Sequence, residues 1–393
     1  MRFLHISDLH IGKVVNDFSM LEDQRFILEQ IAGMAAANKV DAVVIAGDIY
    51  DRAIPTGDAV ALLDAFLNQL HKQGIQTIMI SGNHDSPERI SFGENLLRPQ
   101  GVHIAGTKKE SLTRVEFETE GYKTDFVLLP FCKPAQLGVR TTQEAAALLL
   151  ERYWQEEKEL QGEKSWQKDG QKNRVLVTHF FVTDQGREPE LSDSETTIHV
   201  GGLDNVDASL MEGFDYVALG HIHKSQQIGD RPIWYAGSPL KYSFGELGQT
   251  KNALLVTLGE TGLQEIKRLP LRPMRELRRV KGTLKEILED PDEGEVKRSD
   301  YIQAVLTDKG ELIDPIGALR SRYPNVMQIL REEKSEVSTS AAMDVKKSRT
   351  LADRKDARGL FEAFYQDVQG QELSREGKDV IIDIVKELEE KQK

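Results

Sequence analysis

The first 85 residues alternate short aliphatic runs with longer segments of helical periodicity, and this alternation restricts the possible folds more than any other feature. Strand-like runs occur at residues 2–6, 42–46 and 77–80, and helical patterns at 23–38 and 56–72 separate them. Because two parallel strands need a long crossover between them, this order predicts parallel strands in a sheet covered by helices.

A polar cluster follows each of these strands, at the edge of the sheet where α/β proteins bind their ligands. His10 stands two residues after Asp8, and His223 two residues after His221, a spacing that turns both side chains of a pair to one face of extended chain. The candidate metal ligands are Asp8, His10, Asp48, Asn83, His179, His221 and His223.

These candidates combine carboxylate, amide and imidazole groups without a thiolate, which favours manganese or iron over structural zinc. We predict two divalent ions, most simply Mn²⁺. Held about 3.5–4 Å apart, such ions clamp the attacking and leaving oxygens of a displacement and generate hydroxide near neutral pH. The alternative interpretation, core or surface histidines in an unrelated α/β protein, does not account for their position beside Gly-Asp and Gly-Asn pairs at strand ends.

The motifs at 8–10, 47–51, 82–85, 179 and 220–223 resemble, in order, those of the calcineurin-like metallophosphoesterases. The resemblance implies an α/β fold with four layers, αββα. It implies that one ion is held by Asp8, His10, Asp48 and His223, and the other by Asp48, Asn83, His179 and His221. Asp48 would then bridge both ions.

The same resemblance gives His84 a catalytic role without metal ligation. It would face the scissile phosphate and protonate the departing oxygen. Asp51 would orient His84, and its carboxylate would keep the imidazole protonated near neutral pH. Two alternatives stay open: Asp51 as a turn or helix-capping residue, and Arg52 either as a phosphate ligand or in an exposed salt bridge.

These motifs do not identify the substrate, because phosphatases, phosphodiesterases and nucleases share them. The flanking sequence is therefore needed to predict it. Residues 1–12 and 235–244 resemble the nuclease subunits of SbcCD-type complexes. This implies 3' to 5' exonuclease action on duplex DNA, endonuclease action on single strands and hairpins, and a heterotetramer with two SbcC-type ATPase chains. The chain has no phosphate-binding Gly-x-x-x-x-Gly-Lys-Ser/Thr loop, so a partner must supply the ATPase. The alternatives are a phosphatase for a small molecule or phosphoprotein, and an inactive scaffold.

The net charge of −13 argues against indiscriminate attraction to nucleic acid. Two parts of the sequence could nevertheless contact DNA. In residues 237–244, Ser238 and Lys241 offer polar contacts and Tyr242 and Phe244 offer stacking surfaces. The alternative is an ordinary strand and turn with core aromatics, which we favour for Phe244. A basic cluster could follow the DNA backbone or form a solvated linker; it comprises Arg268, Arg272, Arg275, Arg278, Arg279 and Lys281.

We predict a nuclease domain at 1–270, a small α+β capping domain at 271–333, a linker at 334–356 and a helical partner-binding segment at 357–393. Within the capping domain, strand-like runs at 301–306 and 326–330 frame a helical pattern at 315–322. No run approaches the roughly 20 apolar residues of a membrane-spanning helix, and the first strand begins directly after Met1. The single cysteine, Cys132, fits a reducing compartment. We therefore expect a cytoplasmic protein without a membrane partner.

Overall fold

The computed structural model describes residues 1–107, 111–119, 121–161, 172–192, 205–289, 294–309 and 312–332. The predicted linker at 334–356 and helical segment at 357–393 lie outside these residues. Residues Met1–Arg331 form one compact unit, and the second unit, Glu332–Lys393, lies almost entirely outside the described residues. The domain boundary predicted near residue 270 stays a prediction.

The strands are short and mostly buried. In chain order they are β1 (Arg2–Ile6), β2 (Val14–Val15), β3 (Phe18–Ser19), β4 (Ala42–Ala46), β5 (Gln76–Ile80), β6 (Val102–Ala105), β7 (Thr113–Thr119), β8 (Tyr122–Leu129), β9 (Lys172–Thr178), β10 (Phe181–Thr183), β11 (Asn205–Asp207), β12 (Tyr216–Leu219), β13 (Gln226–Gln227), β14 (Ile233–Tyr235), β15 (Asn252–Gly259), β16 (Gly262–Pro270), β17 (Leu277–Gly282), β18 (Tyr301–Leu306) and β19 (Val326–Arg331).

Three of the helices are long, and they cover the sheets. In chain order the helices are α1 (Leu21–Ala37), α2 (Gly57–Lys72), α3 (Pro87–Ile90), α4 (Glu94–Leu97), α5 (Thr142–Gln161), α6 (Leu284–Glu289), α7 (Glu295–Arg298) and α8 (Pro315–Arg322). Within the described part of the chain, none of them combines the length and apolar character needed to cross a membrane.

Two six-stranded sheets form the body of the unit. The first has the order β16-β15-β1-β4-β5-β6, in which β1, β4, β5 and β6 run parallel, as the βαβαβ pattern predicted. The second has the order β13-β14-β12-β9-β8-β7, with parallel strands from β14 to β8 and antiparallel strands at both edges.

The two sheets pack face to face, because alternate residues of each strand point into a shared apolar layer. Phe3 and Val44 of the first sheet belong to the same buried cluster as Phe126 and Val177 of the second. On its outer face the first sheet is covered by α1 and α2, and the second by α5. The predicted four-layer αββα architecture is confirmed.

A third, smaller sheet follows, in which β17, β18 and β19 run parallel. Its core includes Ile302, Leu319 and Tyr323, contributed by β18, α8 and the turn after α8. The predicted strand at 301–306 and helix at 315–322 are present. Strand β17 was missed because its sequence is dominated by the basic residues Arg278, Arg279 and Lys281.

The layer between the large sheets should dominate stability. Phe126 is fully buried, with its ring centroid 5.2 Å from that of Phe3. We expect Phe126→Ala to lower the free energy of unfolding by about 3–5 kcal/mol, measured by urea denaturation. The control is Phe92→Ala, since Phe92 is 85% exposed and its loss should change this free energy by at most about 0.5 kcal/mol. Equal effects of the two changes would contradict this assignment of the core.

Candidate metal centre

The loops that follow β1, β4, β5, β9 and β12 meet at one edge of the two sheets and bring every predicted ligand together. The loop after β1 lies along the loop after β4, because the Asp8 N–H donates to the Gly47 carbonyl at 3.1 Å and the His10 N–H to the Asp48 carbonyl at 3.0 Å. The convergence of strand ends predicted from the sequence is therefore present.

A first donor group consists of Asp8, His10 and His223, joined by Asp48. Single ligand atoms of Asp8, His10 and His223 all lie within 4.8 Å of one another, and each of the three residues is buried. Nε2 of His10 lies 3.2 Å from Nε2 of His223 and 3.6 Å from Oδ2 of Asp48.

A second donor group consists of Asn83, His179 and His221, again joined by Asp48. Oδ1 of Asn83 lies 3.0 Å from Nε2 of His179 and 3.0 Å from Nδ1 of His221. Oδ2 of Asp48 lies 3.4 Å from Nε2 of His179. The same Asp48 oxygen thus lies beside both groups.

These separations fit bound cations. Ligands about 2.1 Å from a metal ion stand about 3.0 Å apart at neighbouring octahedral positions and about 3.4 Å apart at tetrahedral ones. Four of the contacts within the two groups, at 3.0 to 3.4 Å, fall in this range, and the His10–Asp48 contact of 3.6 Å is slightly longer. No thiolate contributes, because Cys132 is buried in the core beside α5. Oxygen and imidazole donors at these spacings suit divalent ions.

Hydrogen bonds at the second ring nitrogen orient two of the histidines. Nδ1 of His179 lies 2.7 Å from the Ala46 carbonyl and donates to it, which leaves the Nε2 lone pair for a cation. Nδ1 of His223 lies 3.3 Å from Oε1 of Glu246. Burial would raise the pKa of Glu246, but its hydrogen bond with His223 and the charge of Lys251 lower it to about 2. Glu246 was not predicted from the sequence, because its only distinguishing feature there is an acidic side chain close to aromatic residues.

The buried charges of the site favour cations. Burial lowers the pKa of His10 well below its usual value, so its ring is a neutral donor. Burial would raise the pKa of Asp48, but the charge of His179 brings it well below its usual range. Burial also opposes protonation of His179, yet Asp48 raises the pKa of that ring to about 9, so a cation that binds at Nε2 would displace a proton there. A buried, ionised carboxylate shared by two imidazole groups is an electrostatic environment that a bound divalent ion satisfies.

Four of the predicted ligands lie on strained backbone. The φ angles of Asp8, His10, Asp48 and His221 are 52°, 44°, 49° and 102°, a region in which side chains other than glycine cost about 1–3 kcal/mol each. Such angles persist where the surrounding sheets over-determine the loops, and they cluster at functional sites. The strained backbone therefore lies at residues that belong to the two donor groups.

Two glycines permit the close approach of these loops. A Cβ on Gly82 would lie 2.1 Å from Oδ1 and 2.3 Å from the main-chain nitrogen of Asp48. A Cβ on Gly220 would lie 2.0 Å from the Ala46 carbonyl oxygen. Glycine is thus required directly before Asn83 and before His221, which explains these two motif positions by packing.

His84 lies beside both donor groups and is oriented by two main-chain contacts. Its N–H donates to Oδ1 of Asp48 at 2.9 Å, and its Nδ1 lies 3.1 Å from the Asp51 carbonyl. The Asp51 carboxylate instead accepts from Lys13 Nζ at 2.7 Å. Asp51 therefore contacts His84 through its carbonyl, and the capping role at the next helix belongs to Thr56.

Ser238, Lys241 and Tyr242 do not offer DNA the contacts suggested for them, whereas Phe244 is a core aromatic as expected. Tyr242 is 3% exposed; its hydroxyl donates to the Leu9 carbonyl and its ring stands edge-on to His10. The Ser238 hydroxyl donates to the Leu240 carbonyl, and Lys241 pairs with Glu276 at 2.8 Å. The stacking role suggested for Tyr242 is wrong, because the ring is packed beneath the donor groups.

The basic cluster is mostly paired within the chain. Arg268 lies over the ring of Trp234, with 5.1 Å from guanidinium carbon to ring centroid. Arg278 Nε lies 2.7 Å from an Asp300 oxygen. The interpretation as a solvated linker is wrong, since Arg268 lies in β16 and Arg278 in β17.

Arg52 is different, because its side chain is 74% exposed and its Nε lies 3.7 Å from the Asp51 carboxylate. This long contact leaves the guanidinium facing solvent beside the site. The exposed salt bridge considered from the sequence is therefore present, and it is weak by its geometry.

The chain is similar to known sequence families and proteins along most of its length. A sequence-family model described as calcineurin-like phosphoesterase matches residues 1–225, and one described as type 5 capsule protein repressor C-terminal domain matches residues 273–369. A curated SbcCD nuclease subunit of Staphylococcus epidermidis is 29% identical over 382 residues, covering 97% of each chain.

Two similar solved structures are a dimetal phosphatase from Danio rerio and the protein TT1561 of Thermus thermophilus. The first is 14% identical, with a TM-score of 0.39, and the comparison covers 69% of this chain and 98% of that one. The second is 15% identical, with a TM-score of 0.39 and coverage of 69% and 99%.

The glycine before Asn83 provides a steric test of the site. We expect Gly82→Ala to displace Asp48 and to weaken Mn²⁺ binding by both donor groups by at least about tenfold, measured by titration calorimetry. The control is Gly57→Ala at the start of α2, where an added Cβ meets nothing within 4 Å. Two Mn²⁺ ions bound by Gly82→Ala with parental affinity would contradict the packing argument.

Proposed function

The chain belongs to the calcineurin-like phosphoesterase family, and from this we propose that it is a metal-dependent DNA nuclease, the nuclease subunit of an SbcCD-type complex. One observation carries the hydrolytic chemistry: two donor groups share Oδ2 of Asp48. Similarity along 97% of both chains to a curated SbcCD nuclease subunit supports DNA as the substrate.

Members of this family use divalent metal ions, and the donor groups of this chain fit them. In our proposal one ion is held by Asp8, His10, Asp48 and His223, and the other by Asp48, Asn83, His179 and His221, with Mn²⁺ in both places. When bound, two such ions would activate water as the nucleophile and neutralise the charge that develops on the phosphate oxygens. That assistance matters because phosphate esters hydrolyse very slowly without it.

His84 is the proposed acid for the leaving group. The Asp51 carbonyl accepts from Nδ1, so the other ring nitrogen, Nε2, can donate its proton to the departing sugar oxygen. The contact of the His84 N–H with Asp48 fixes the imidazole relative to the shared oxygen. Asp51 is thus a positioning residue, and Lys13 neutralises its carboxylate at 2.7 Å.

The substrates that we propose are duplex DNA ends, hairpins and single strands, with 3' to 5' exonuclease and endonuclease action. The chain itself carries a net charge of −13, and much of its basic cluster is already paired. Tight binding of DNA therefore needs positive charge from a partner. An SbcC-type ATPase, in a complex of two nuclease and two ATPase chains, would supply both this charge and the ATP dependence.

The partner-binding residues are proposed in the segment 357–393, outside the described residues. In the sequence Leu360, Phe361, Phe364 and Tyr365 recur at helical spacing, which is typical of an apolar helix face that docks on another helix. Division into a catalytic domain (1–270), a capping domain (271–333) and a linker (334–356) completes this arrangement.

The decisive experiment compares DNA with a phosphatase substrate. With Mn²⁺, the chain should cleave single-stranded and hairpin oligonucleotides, and duplex degradation should require the co-expressed ATPase and ATP. His84→Ala should keep two metal ions per chain while its cleavage rate falls by about 100-fold or more, because it removes a proton donor and no ligand.

Metal content is measured by mass spectrometry and cleavage by gel electrophoresis. Turnover of p-nitrophenyl phosphate without cleavage of any oligonucleotide would favour the alternative, a phosphatase for a small molecule or phosphoprotein. Parental cleavage by His84→Ala would remove this residue from the mechanism.

A truncation that ends at Thr350 tests the partner segment. It should retain Mn²⁺-dependent cleavage of single strands, because every donor residue precedes residue 225. It should lose co-purification with the ATPase and ATP-stimulated duplex degradation. Undiminished binding of the ATPase by the truncated chain would place the interface elsewhere.

A further inference from the structure

Both polar atoms of the Gln24 side-chain amide, in α1, make hydrogen bonds beneath the metal centre, although no sequence motif includes this residue. Gln24 is 1% exposed. Its Nε2 lies 2.7 Å from the His10 carbonyl, 3.2 Å from the Leu9 carbonyl and 3.1 Å from the Tyr242 hydroxyl. Its Oε1 accepts from the Gly12 N–H at 2.9 Å. This one amide therefore hydrogen-bonds to the main chain at several points of the loop that carries His10.

His10 needs such support more than the other imidazoles do. The rings of His179 and His223 are oriented by contacts of Nδ1 with the Ala46 carbonyl and with Glu246. Among the described residues, Nδ1 of His10 is buried without a hydrogen-bond partner, and its nearest carboxylate oxygen, on Asp51, is 3.6 Å away. The direction of this ring must therefore be set through its main chain, whose φ of 44° is itself strained.

Tyr242 adds to the support that Gln24 gives to the His10 loop. Its hydroxyl donates to the Leu9 carbonyl and accepts from Gln24. Its ring stands edge-on to both imidazoles of the first donor group, with centroids 5.7 Å from His10 and 6.0 Å from His223. Gln24 and Tyr242 are thus one hydrogen-bonded unit that contacts the main chain and the ring of His10.

The neighbouring residue holds α1 in place. Asp23 is fully buried, and its Oδ2 accepts from the Tyr301 hydroxyl at 2.7 Å and pairs with Arg275 at 2.9 Å. Tyr301 begins β18 of the small sheet. The helix turn that carries Asp23 and Gln24 is therefore attached to the small sheet through Asp23 and to the His10 loop through Gln24.

We propose that Gln24 is a positioning residue for the first donor group, because its amide sets the main chain at Leu9, His10 and Gly12 and thereby aims Nε2 of His10. This inference rests on the proposed function, in which His10 is a metal ligand. It predicts a selective effect, since no hydrogen bond of Gln24 reaches Asn83, His179 or His221.

The test uses Gln24→Met, which keeps the length of the side chain and removes all of its hydrogen bonds. In titration calorimetry, Mn²⁺ affinity should fall by about 10–100-fold at one site and stay at the parental value at the other. The electron paramagnetic resonance signal of coupled manganese should give way to that of single ions at limiting metal.

Gln30→Met is the matched control, because Gln30 lies on the same helix and, within the described part of the chain, its amide hydrogen-bonds only to the Arg272 main chain, at 3.2 and 2.9 Å. Both affinities should survive in the control.

Tyr242→Phe provides a second test that preserves the buried ring. It removes the hydroxyl shared by Leu9 and Gln24, so it should weaken the same site, and the double variant should lose less affinity than the sum of the single losses. If Gln24→Met does not fold, the site selectivity of Tyr242→Phe decides the question.

The outcomes separate this inference from the proposed function. A parent chain that binds no Mn²⁺ would overturn both. Two parental affinities in Gln24→Met or, if that variant does not fold, in Tyr242→Phe would overturn the positioning role alone. So would equal losses at both sites, because an unselective effect indicates general loosening of the fold.

Discussion

The buried carboxylate of Asp48 is the group around which the rest of the site is arranged. One of its oxygens faces both donor groups, at 3.6 Å from His10 and 3.4 Å from His179, and the other accepts from the His84 N–H. An ionised carboxylate at this depth is costly unless positive charge and hydrogen bonds surround it. Five strand-end loops of the two sheets bring these groups close to Asp48, and the glycine before Asn83 leaves room for the close approach.

The cost of assembling the site is visible in its backbone. Asp8, Asp48 and His221 adopt left-handed φ angles in loops whose ends are fixed by buried parallel strands. A packed sandwich can impose such angles, because the strands would have to separate before the loops relaxed. Rigid layers thus hold the predicted ligands at short separations, which is the pre-organisation that metal-assisted hydrolysis would require.

Much of the architecture followed from local pattern. The strands at 2–6 and 42–46 and the helix at 315–322 were predicted with the bounds that the structure gives. Strands β16 and β17 were missed, because Arg268, Arg278 and Arg279 make their sequence resemble a charged connection. Those charges are accommodated by partners such as Trp234 and Asp300, which no local pattern reveals.

The sequence by itself predicted the chemical character of the site, because carboxylate, amide and imidazole donors beside glycines at strand ends together indicate a site for divalent cations. It also determined the parallel sheet, through the alternation of strand and helix patterns. Only the tertiary structure decided that Asp51 contacts His84 through its carbonyl, that Tyr242 lies beneath the donor groups, and that Gln24 hydrogen-bonds to the His10 loop. The physical reason is range: the Gln24–Tyr242 contact joins residues 218 positions apart, and such pairings depend on how packed layers align, which periodicity does not encode.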